Sequence, residues 1–414
     1  MRILVYGINY FPEPIGIGKF TGEMTAWLAK NGHEVRVVTA QPSYPEWRVM
    51  PGYSAAAYQR EHRENLTVWR CPVWVPRFPT GLKRILHYLS LALSSAPIAL
   101  RQVWWKPDIV LLVVPPLFLA PTALLVARLA GARSWLHLQD FEVSLAFETG
   151  LLRRPMLRKV ALWVEQKLLQ RFHRVSTISS RMLAGLHSKG VAEERCVLFP
   201  NWVDVEIIRP LNGQNRLRSE WALREQVTVA LYSGNMAGKQ GLDVLLDAAK
   251  LLKDDESLCF VLCGGGAARK RLQEKNGDLR NVIWRPLQEA ARLNELLNVA
   301  DIHLLPQLAN VADLVMPSKL TGMLASGRPV IATADAGSQV AQVVAQCGIV
   351  VPPGDVNALV TAIRVLAADP DRRRRLGSTA RDYALKNFAS SRILPEFEKA
   401  LVLCAKDQLR PGQI

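Results

Sequence analysis

Short apolar runs alternate with amphipathic stretches along most of the chain. Strands covered on both faces of a parallel sheet are apolar throughout, so these runs predict parallel strands. In the first half they are Ile3–Ile8, Val35–Thr39, Ile109–Val114, Ser134–Leu138, Val175–Ile178 and Val197–Phe199. Helical patterns separate most of them, as in Gly18–Lys30, Leu82–Arg101 and Pro155–Arg171. The alternation predicts a doubly wound α/β domain.

The same alternation restarts after residue 210 and predicts a second α/β domain. Its strands are Val227–Tyr232, Leu258–Cys263, Val282–Trp284, Ile302–Leu305, Val330–Ala332 and Ile349–Val351. Between the halves, the turn-rich segment Arg209–Gly213 follows a strand that ends at Pro200–Asp204. A chain of 414 residues also fits two domains. We therefore predict domains over 1–205 and 206–387.

The charge balance indicates an acidic partner. Lys and Arg total 52 against 36 acidic residues, a net charge of +16, and residues 1–205 carry 25 of the bases and 14 of the acids. Nucleic acid, anionic lipid or a phosphorylated substrate would satisfy this excess. Six cysteines are too few for a disulfide scaffold, so we expect reduced thiols and a cytoplasmic protein. Charge or proline interrupts the apolar stretches 82–100 and 109–127, and no secretory signal is recognised; we expect no transmembrane span.

The loop after the first predicted strand contains Gly16 and Gly18 at the start of a helix. Glycines there let backbone N–H groups approach a phosphate or a sugar. The spacing is GxGxxxG, and no acidic residue follows about 20 positions later, so a nicotinamide-binding site is disfavoured. The alternative is a plain glycine turn.

His137 and Asp140 mark the end of another predicted strand. The imidazole could donate a hydrogen bond to a sugar hydroxyl, and the carboxylate could accept one from an acceptor hydroxyl. The alternative is a buried histidine with satisfied hydrogen bonds, followed by an aspartate that caps a helix.

Glycine-rich turns also follow the first two strands of the second half. The turn Gly234–Gly241 contains Asn235, and it places Lys239 near a helix start, where backbone N–H groups and an ammonium would converge on a diphosphate. The next strand ends at Gly264 and Gly265, where bare backbone could face a base or ribose. A tight strand-to-helix turn explains this second glycine run equally well.

The segment 313–330 contains Asp313, Ser318 and Lys319. A short helix is predicted to begin at Pro317 and Ser318, which puts Lys319 in its first turn. A cation there opposes the helix dipole, a small cost that is usually tolerated for a reason.

In this order, the motifs resemble those of retaining glycosyltransferases of the GT-B fold (family 4, glycosyl transferases group 1). The resemblance covers essentially the whole chain and is greatest to the colanic-acid-type enzymes. The segments that carry it are VYGINYFPEPIGIGKFTGEM at the N-terminus, TVWRCPVWVP at 67–76, LHLQDFEV at 136–143, PNWVD at 200–204, GNMAGKQG at 234–241 and DLVMPSKLTGMLASGRPV at 313–330. It implies two Rossmann-like domains facing across a cleft, with a final helix in 388–414 that returns to the first domain.

Two departures from the family pattern concern the donor site. The paired glutamates that usually precede the GRPV segment are replaced by Leu314 and Gly322, and the usual arginine of the diphosphate turn is Asn235. In place of the glutamates, polar contacts to the donor sugar or ribose would come from Asp313, Ser318 and Lys319, and in place of the arginine, Lys239 would bear more of the phosphate charge.

The resemblance implies transfer of a sugar from a nucleotide-diphosphate donor with retained anomeric configuration and with no cofactor beyond the donor. GDP-fucose is the donor that the colanic-acid-type enzymes suggest. No strand-end DxD motif is present, so we expect cationic side chains and helix N-termini to replace a metal. We expect His137 and Asp140 to orient donor and acceptor.

The implied acceptor is a polyprenyl-diphosphate-linked sugar at the inner face of the cytoplasmic membrane. Residues 82–101 place leucines on one helical face, and 150–175 carry seven bases against one acid. Each base near an anionic leaflet adds on the order of 1 kcal/mol, which favours peripheral docking. The predicted membrane-facing residues are Lys83, Arg84, Arg153, Arg154, Arg158 and Lys159. The alternative is that both helices pack their apolar faces into the core.

The sequence also bears on three other functions. A nucleotide-sugar epimerase could use the same fold, whereas a phosphorylase would need a pyridoxal-binding lysine that no motif indicates. A nucleic-acid-binding protein would use the positive charge, but no helix-turn-helix, zinc or RNP-type motif supports it. We expect no nucleic-acid partner.

Overall fold

The computed structural model describes residues 1–141, 155–211, 213, 215–236, 240–309 and 317–407. The chain divides into two compact units, Met1–Pro200 with Leu394–Ile414, and Asn201–Ile393. The first unit therefore ends at Pro200, whereas the sequence placed the boundary after residue 205. Residues 201–205 belong to the second unit because Val203 pairs with Ala389 and the carbonyl of Val205 accepts a hydrogen bond from Arg381.

The first unit contains an eight-stranded sheet in the order β3-β4-β2-β1-β5-β6-β7-β8. All neighbouring strands are parallel except the antiparallel pair β3–β4. The strands are β1 (Arg2–Tyr6), β2 (Glu34–Ala40), β3 (Gln59–Arg63), β4 (Leu66–Cys71), β5 (Ile109–Val114), β6 (Arg133–Leu138), β7 (Arg174–Thr177) and β8 (Cys196–Leu198). The helices are α1 (Ile17–Lys30), α2 (Gly81–Arg101), α3 (Ala120–Ala130), α4 (Pro155–Leu169) and α5 (Ser180–Ser188).

The second unit contains a six-stranded, fully parallel sheet in the order β11-β10-β9-β12-β13-β14. Its strands are β9 (Thr228–Ser233), β10 (Leu258–Cys263), β11 (Val282–Arg285), β12 (Ile302–Pro306), β13 (Val330–Thr333) and β14 (Gly348–Val351). Its helices are α6 (Arg216–Glu220), α7 (Asp243–Leu251), α8 (Arg269–Lys275), α9 (Leu293–Leu297), α10 (Lys319–Ala325), α11 (Gln339–Cys347), α12 (Val356–Ala368) and α13 (Pro370–Asn387), and α14 (Ser390–Lys406) follows.

These sheets confirm the predicted fold class of two α/β domains with parallel sheets. Every residue of β5, β9 and β10 is buried, as expected for strands covered on both faces. The sequence missed β3, a polar strand at the sheet edge, because its pattern QREHR has no apolar periodicity. The strand β4 (Leu66–Cys71) was not predicted from the sequence either.

Helix α2 exposes four of its leucines on one face: Leu82, Leu86, Leu89 and Leu93. Leu82 is 71% exposed and Leu93 is 77% exposed, whereas His87, Ser95 and Leu91 are buried on the opposite face. The alternative in which this apolar face packs into the core is therefore wrong for α2. Within the part of the chain that the structure describes, no helix combines the length and apolar character needed to cross a membrane.

The end of the chain packs on the first unit through aromatic contacts. Phe397 of α14 stacks on Phe199 with ring centroids 3.7 Å apart, and its ring meets Trp135 of β6 edge-on at 5.3 Å. Phe397 is 3% exposed, so α14 contributes a core side chain to this unit.

We predict that Phe397→Ala lowers the free energy of unfolding by about 3–5 kcal/mol, because it leaves a cavity between Phe199 and Trp135. Urea denaturation followed by tryptophan fluorescence measures the change. The matched control is Leu403→Ala on the same helix, where a 56% exposed side chain predicts a change within about 0.5 kcal/mol. Equal losses in both variants would contradict the prediction.

Candidate active site

In each unit, the order of strands reverses beside the first strand. β1 lies between β2 and β5, and β9 lies between β10 and β12. In open α/β sheets, ligands bind beyond the carboxyl ends of the strands at such a reversal. The loops after β1 and β9 are therefore the candidate binding loops of their units.

In the second unit, the loops after β9 and β10 are joined through glycine backbone. The N–H of Gly234 donates to the carbonyl of Cys263 at 3.0 Å, and the N–H of Met236 donates to the carbonyl of Gly265 at 2.7 Å. A Cβ on Gly264 would lie 1.9 Å from the carbonyl oxygen of Gly234, and Gly264 has a φ of +151°. Only glycine allows this approach, so Gly264 holds the two loops together.

Asn235 belongs to the same contact. A Cβ on Gly266 would lie 2.4 Å from the Oδ1 atom of Asn235. The backbone carbonyl of Asn235 accepts a hydrogen bond from the Tyr232 hydroxyl at 2.7 Å. Gly265 differs from its neighbours, because nothing lies within 4 Å of the position of its missing Cβ. The described edge therefore has open space at Gly265.

Lys319 places a cation at this turn. Its Nζ lies 4.1 Å from the ring centroid of Tyr232 and 3.9 Å from the position that a Cβ on Gly234 would occupy. Although the residue as a whole is only half-buried, desolvation lowers the pKa of its ammonium to about 7. An anion bound beside Nζ would raise that pKa again and favour the charged form.

In the first unit, a buried carboxylate joins the loops after β1 and β2. Glu13 is 2% exposed; its Oε1 accepts hydrogen bonds from the N–H groups of Ser43 and Tyr44, and its Oε2 accepts one from Asn9. Burial raises the pKa of Glu13, and these hydrogen bonds oppose the rise. A Cβ on Gly18 would lie 2.7 Å from the Glu13 side chain, which explains a glycine at that position.

His137 is held by neighbours on three sides. Its Nδ1 lies 2.9 Å from Ser176 Oγ, its Nε2 lies 2.9 Å from the amide nitrogen of Gln139, and its ring packs on Phe199. The residue is 3% exposed, and desolvation lowers its pKa to about 3, so the imidazole is neutral at physiological pH. Asp140 is half-buried and is the second residue after β6.

An apolar groove of about 900 Å³ lies beside the Glu13 loops. Its walls include Trp47 and Trp74, and Arg48 and Arg77 also line it. Ser94 of α2 lines the groove as well, and this helix exposes its leucine face to solvent. With Glu46 as the one acidic residue among its described lining residues, the groove combines apolar walls with an excess of guanidinium groups.

Two family models match the chain. One, described as Glycosyl transferase 4-like domain, matches residues 16–202, and the other, described as Glycosyl transferases group 1, matches residues 227–369. The colanic acid biosynthesis glycosyl transferase WcaI of Escherichia coli (strain K12) is 42% identical over 410 residues, which cover 96% of this chain and 98% of that protein. The chain belongs to this glycosyltransferase family.

Solved structures show the same GT-B architecture. Sucrose-phosphate synthase from Thermosynechococcus elongatus superposes with a TM-score of 0.77 at 17% identity, over 97% of this chain and 98% of that chain. Anabaena HepE, solved in complex with UDP and glucose, gives a TM-score of 0.71 at 15% identity, over 97% and 99% of the two chains. At these identities the likeness concerns the fold, and the glycosyltransferase fold predicted from the motifs is confirmed.

The structure assembles part of the predicted site of this glycosyltransferase. Lys319 lies beside Gly234, the residue before Asn235, and Ser318 directly precedes α10. Gly16 directly precedes α1 with a φ of +64°. The predicted residues Lys239, Asp313, Arg153 and Arg154 lie outside the described residues. The roles assigned to all these residues, and to His137 and Asp140, stay predictions.

Sequence reasoning did not single out Glu13 or Tyr232, although both shape the loops at the carboxyl edges. The available signal for Glu13 was an acidic residue between two prolines in an otherwise apolar and glycine-rich loop. Tyr232 gave no signal, because its place at the end of an apolar strand is ordinary.

We predict that Gly264→Ala destabilises this glycosyltransferase by at least about 2–4 kcal/mol, since the new Cβ would overlap the carbonyl of Gly234. Gly265→Ala adds the same methyl group into open space one residue away. Thermal and urea unfolding of both variants measure the difference. Wild-type stability in Gly264→Ala, or an equal loss in Gly265→Ala, would show that the loop contact does not exist as described.

Proposed function

We propose that the protein transfers a sugar from a nucleotide-diphosphate donor to a polyprenyl-diphosphate-linked saccharide, retaining the anomeric configuration and using no metal. The observation that carries the donor assignment is the Lys319 ammonium beside the Gly234 turn. The leaving group of such a transfer is a nucleoside diphosphate, whose developing negative charge must be stabilised. A partly desolvated ammonium at the carboxyl edge of β9 suits that role.

Lys319 also accounts for a departure from the family pattern. The diphosphate turn has Asn235 where the pattern has arginine, and the Asn235 side chain packs against Gly266. The cation instead comes from the first residue of α10. We propose that Lys319 performs the charge stabilisation of the missing arginine, together with backbone N–H groups of the turn.

The acceptor assignment is supported by the surface of the first unit. The groove beside the Glu13 loops has apolar walls and guanidinium groups, which suits a molecule with an apolar chain and an anionic head. Lys83 on α2 and Arg158 and Lys159 on α4 are exposed beside exposed apolar residues of the same helices. We propose that these two helices dock reversibly on the inner face of the cytoplasmic membrane.

The decisive experiment offers donors labelled in the sugar, including GDP-fucose and UDP-glucose, to the purified protein with a lipid extract of bacterial membranes. We expect label from one donor in the organic phase, at the same rate with and without EDTA. NMR of the product reports the anomeric configuration. Transfer from no donor would overturn the proposal, and donor conversion without transfer would indicate an epimerase.

We predict that nucleoside-diphosphate binding weakens by up to about tenfold as pH rises from 6 to 9, because Lys319 loses its proton near pH 7. Isothermal titration calorimetry gives the Kd at each pH. Lys319→Arg stays charged and is the matched control, in which this dependence is lost. Titration of the ligand's own phosphate affects both proteins alike, so identical pH profiles would contradict the prediction.

A further inference from the structure

A second cavity, of about 310 Å³, lies at the opposite edge of the first unit's sheet. Four arginines, one histidine and one aspartate line it: Arg133, Arg171, Arg174, Arg195, His173 and Asp407. Because ligands of open α/β sheets bind beyond the carboxyl ends of strands, this cavity belongs to neither the donor site nor the acceptor groove.

Three of the four arginines converge because they lie at the starts of three neighbouring parallel strands. Arg133 is the first residue of β6, Arg174 is the first residue of β7, and Arg195 directly precedes β8. These strands are adjacent in the sheet and run in the same direction. Their starts therefore share one edge, where the guanidinium groups surround a common space. We name this space the amino-edge pocket.

Pairing within the described residues leaves positive charge in the amino-edge pocket. Arg174 forms an ion pair with Asp407 at 3.2 Å, and Arg195 donates to the carbonyl of Gln170 at 3.1 Å. The Nε atom of Arg133 is buried and has no hydrogen-bond partner among the described residues. A buried donor without a partner carries a free-energy cost that a ligand oxygen would remove.

The positive charge of the arginines also acts on His173. Its Nδ1 accepts a hydrogen bond from the N–H of Ser134 at 3.1 Å, which leaves the ring proton on Nε2. Burial lowers the pKa of His173, and repulsion by Arg133, Arg195 and Arg174 lowers it further. A counter-anion in the pocket would offset that repulsion.

We propose that the amino-edge pocket is an anion-binding site for a phosphate-bearing ligand. Guanidinium groups match phosphate oxygens by bidentate hydrogen bonds, and several of them around one cavity favour a multiply charged group over a carboxylate. The ligand is either a free phosphorylated molecule or the headgroup of an anionic lipid. Arg171 is exposed, so a free ligand can enter the pocket from solvent. It also follows α4, whose exposed face contains the apolar residues Met156 and Trp163, so a lipid headgroup at that face would lie close to the pocket.

The first arm of the test uses inorganic phosphate at constant ionic strength and follows the His173 imidazole by NMR, with His173→Gln to assign the signal. Bound phosphate raises the pKa of His173 toward its ordinary value. Arg133→Gln and the more exposed Arg171→Gln weaken this phosphate response by about tenfold or more. Arg375→Gln, which removes one exposed arginine of α13, is the charge-matched control and leaves the response unchanged.

The second arm measures co-sedimentation with phosphatidylcholine vesicles, with and without phosphatidylglycerol. A headgroup site predicts binding that requires phosphatidylglycerol and is weaker in Arg133→Gln and Arg171→Gln than in Arg375→Gln. A response to phosphate with no difference among the variants on vesicles identifies a free ligand instead. No response in either arm, or equal losses in all three variants, overturns the proposal. Neither arm depends on sugar transfer, so the result is independent of the proposed function.

Discussion

At the carboxyl edge of the second unit's sheet, the arrangement of the loops depends on one close approach between two backbones. The carbonyl of Gly234 occupies the space that a side chain on Gly264 would need, and this contact joins the loops after β9 and β10. Within the turn after β9, the Tyr232 hydroxyl donates to the carbonyl of Asn235, and the Tyr232 ring faces Lys319. A cation from α10 thereby meets a turn that follows the first strand of the unit.

The first unit joins its corresponding loops by different chemistry. There the Glu13 carboxylate bridges the backbone N–H groups that follow β2, and Gly18 provides room for its side chain. A buried carboxylate is costly unless it is hydrogen-bonded, and three donors to Glu13 meet that requirement. In each unit, two loops at the carboxyl ends of strands are therefore held together, by backbone contact in the second unit and by a carboxylate in the first.

Much of the fold could be predicted from the sequence, since apolar runs such as β5 and β10 require burial on both faces. The site was less predictable. Gly264 and Gly18 were predicted to let backbone approach a ligand, and in the structure the positions of their missing Cβ atoms lie against the Gly234 carbonyl and the Glu13 side chain. A glycine in a sequence does not reveal whether it makes room for a ligand or for a neighbouring loop. His137 shows the same ambiguity, because its contacts to Ser176 and Phe199 come from tertiary structure and leave no trace in sequence spacing.

Helix α2 exposes most of its leucines to solvent, and this has a consequence for how the protein can evolve. Its buried face combines Tyr88, Leu91 and Ala99 with His87 and Ser95, and the last two hydrogen-bond to the carbonyls of Trp74 and Leu91, so this face secures the helix on the fold. Leu82 and Leu93 on the other side are mostly exposed and contribute little to folding. Substitutions at these two positions can therefore change the chemistry of that surface at little cost in the free energy of unfolding.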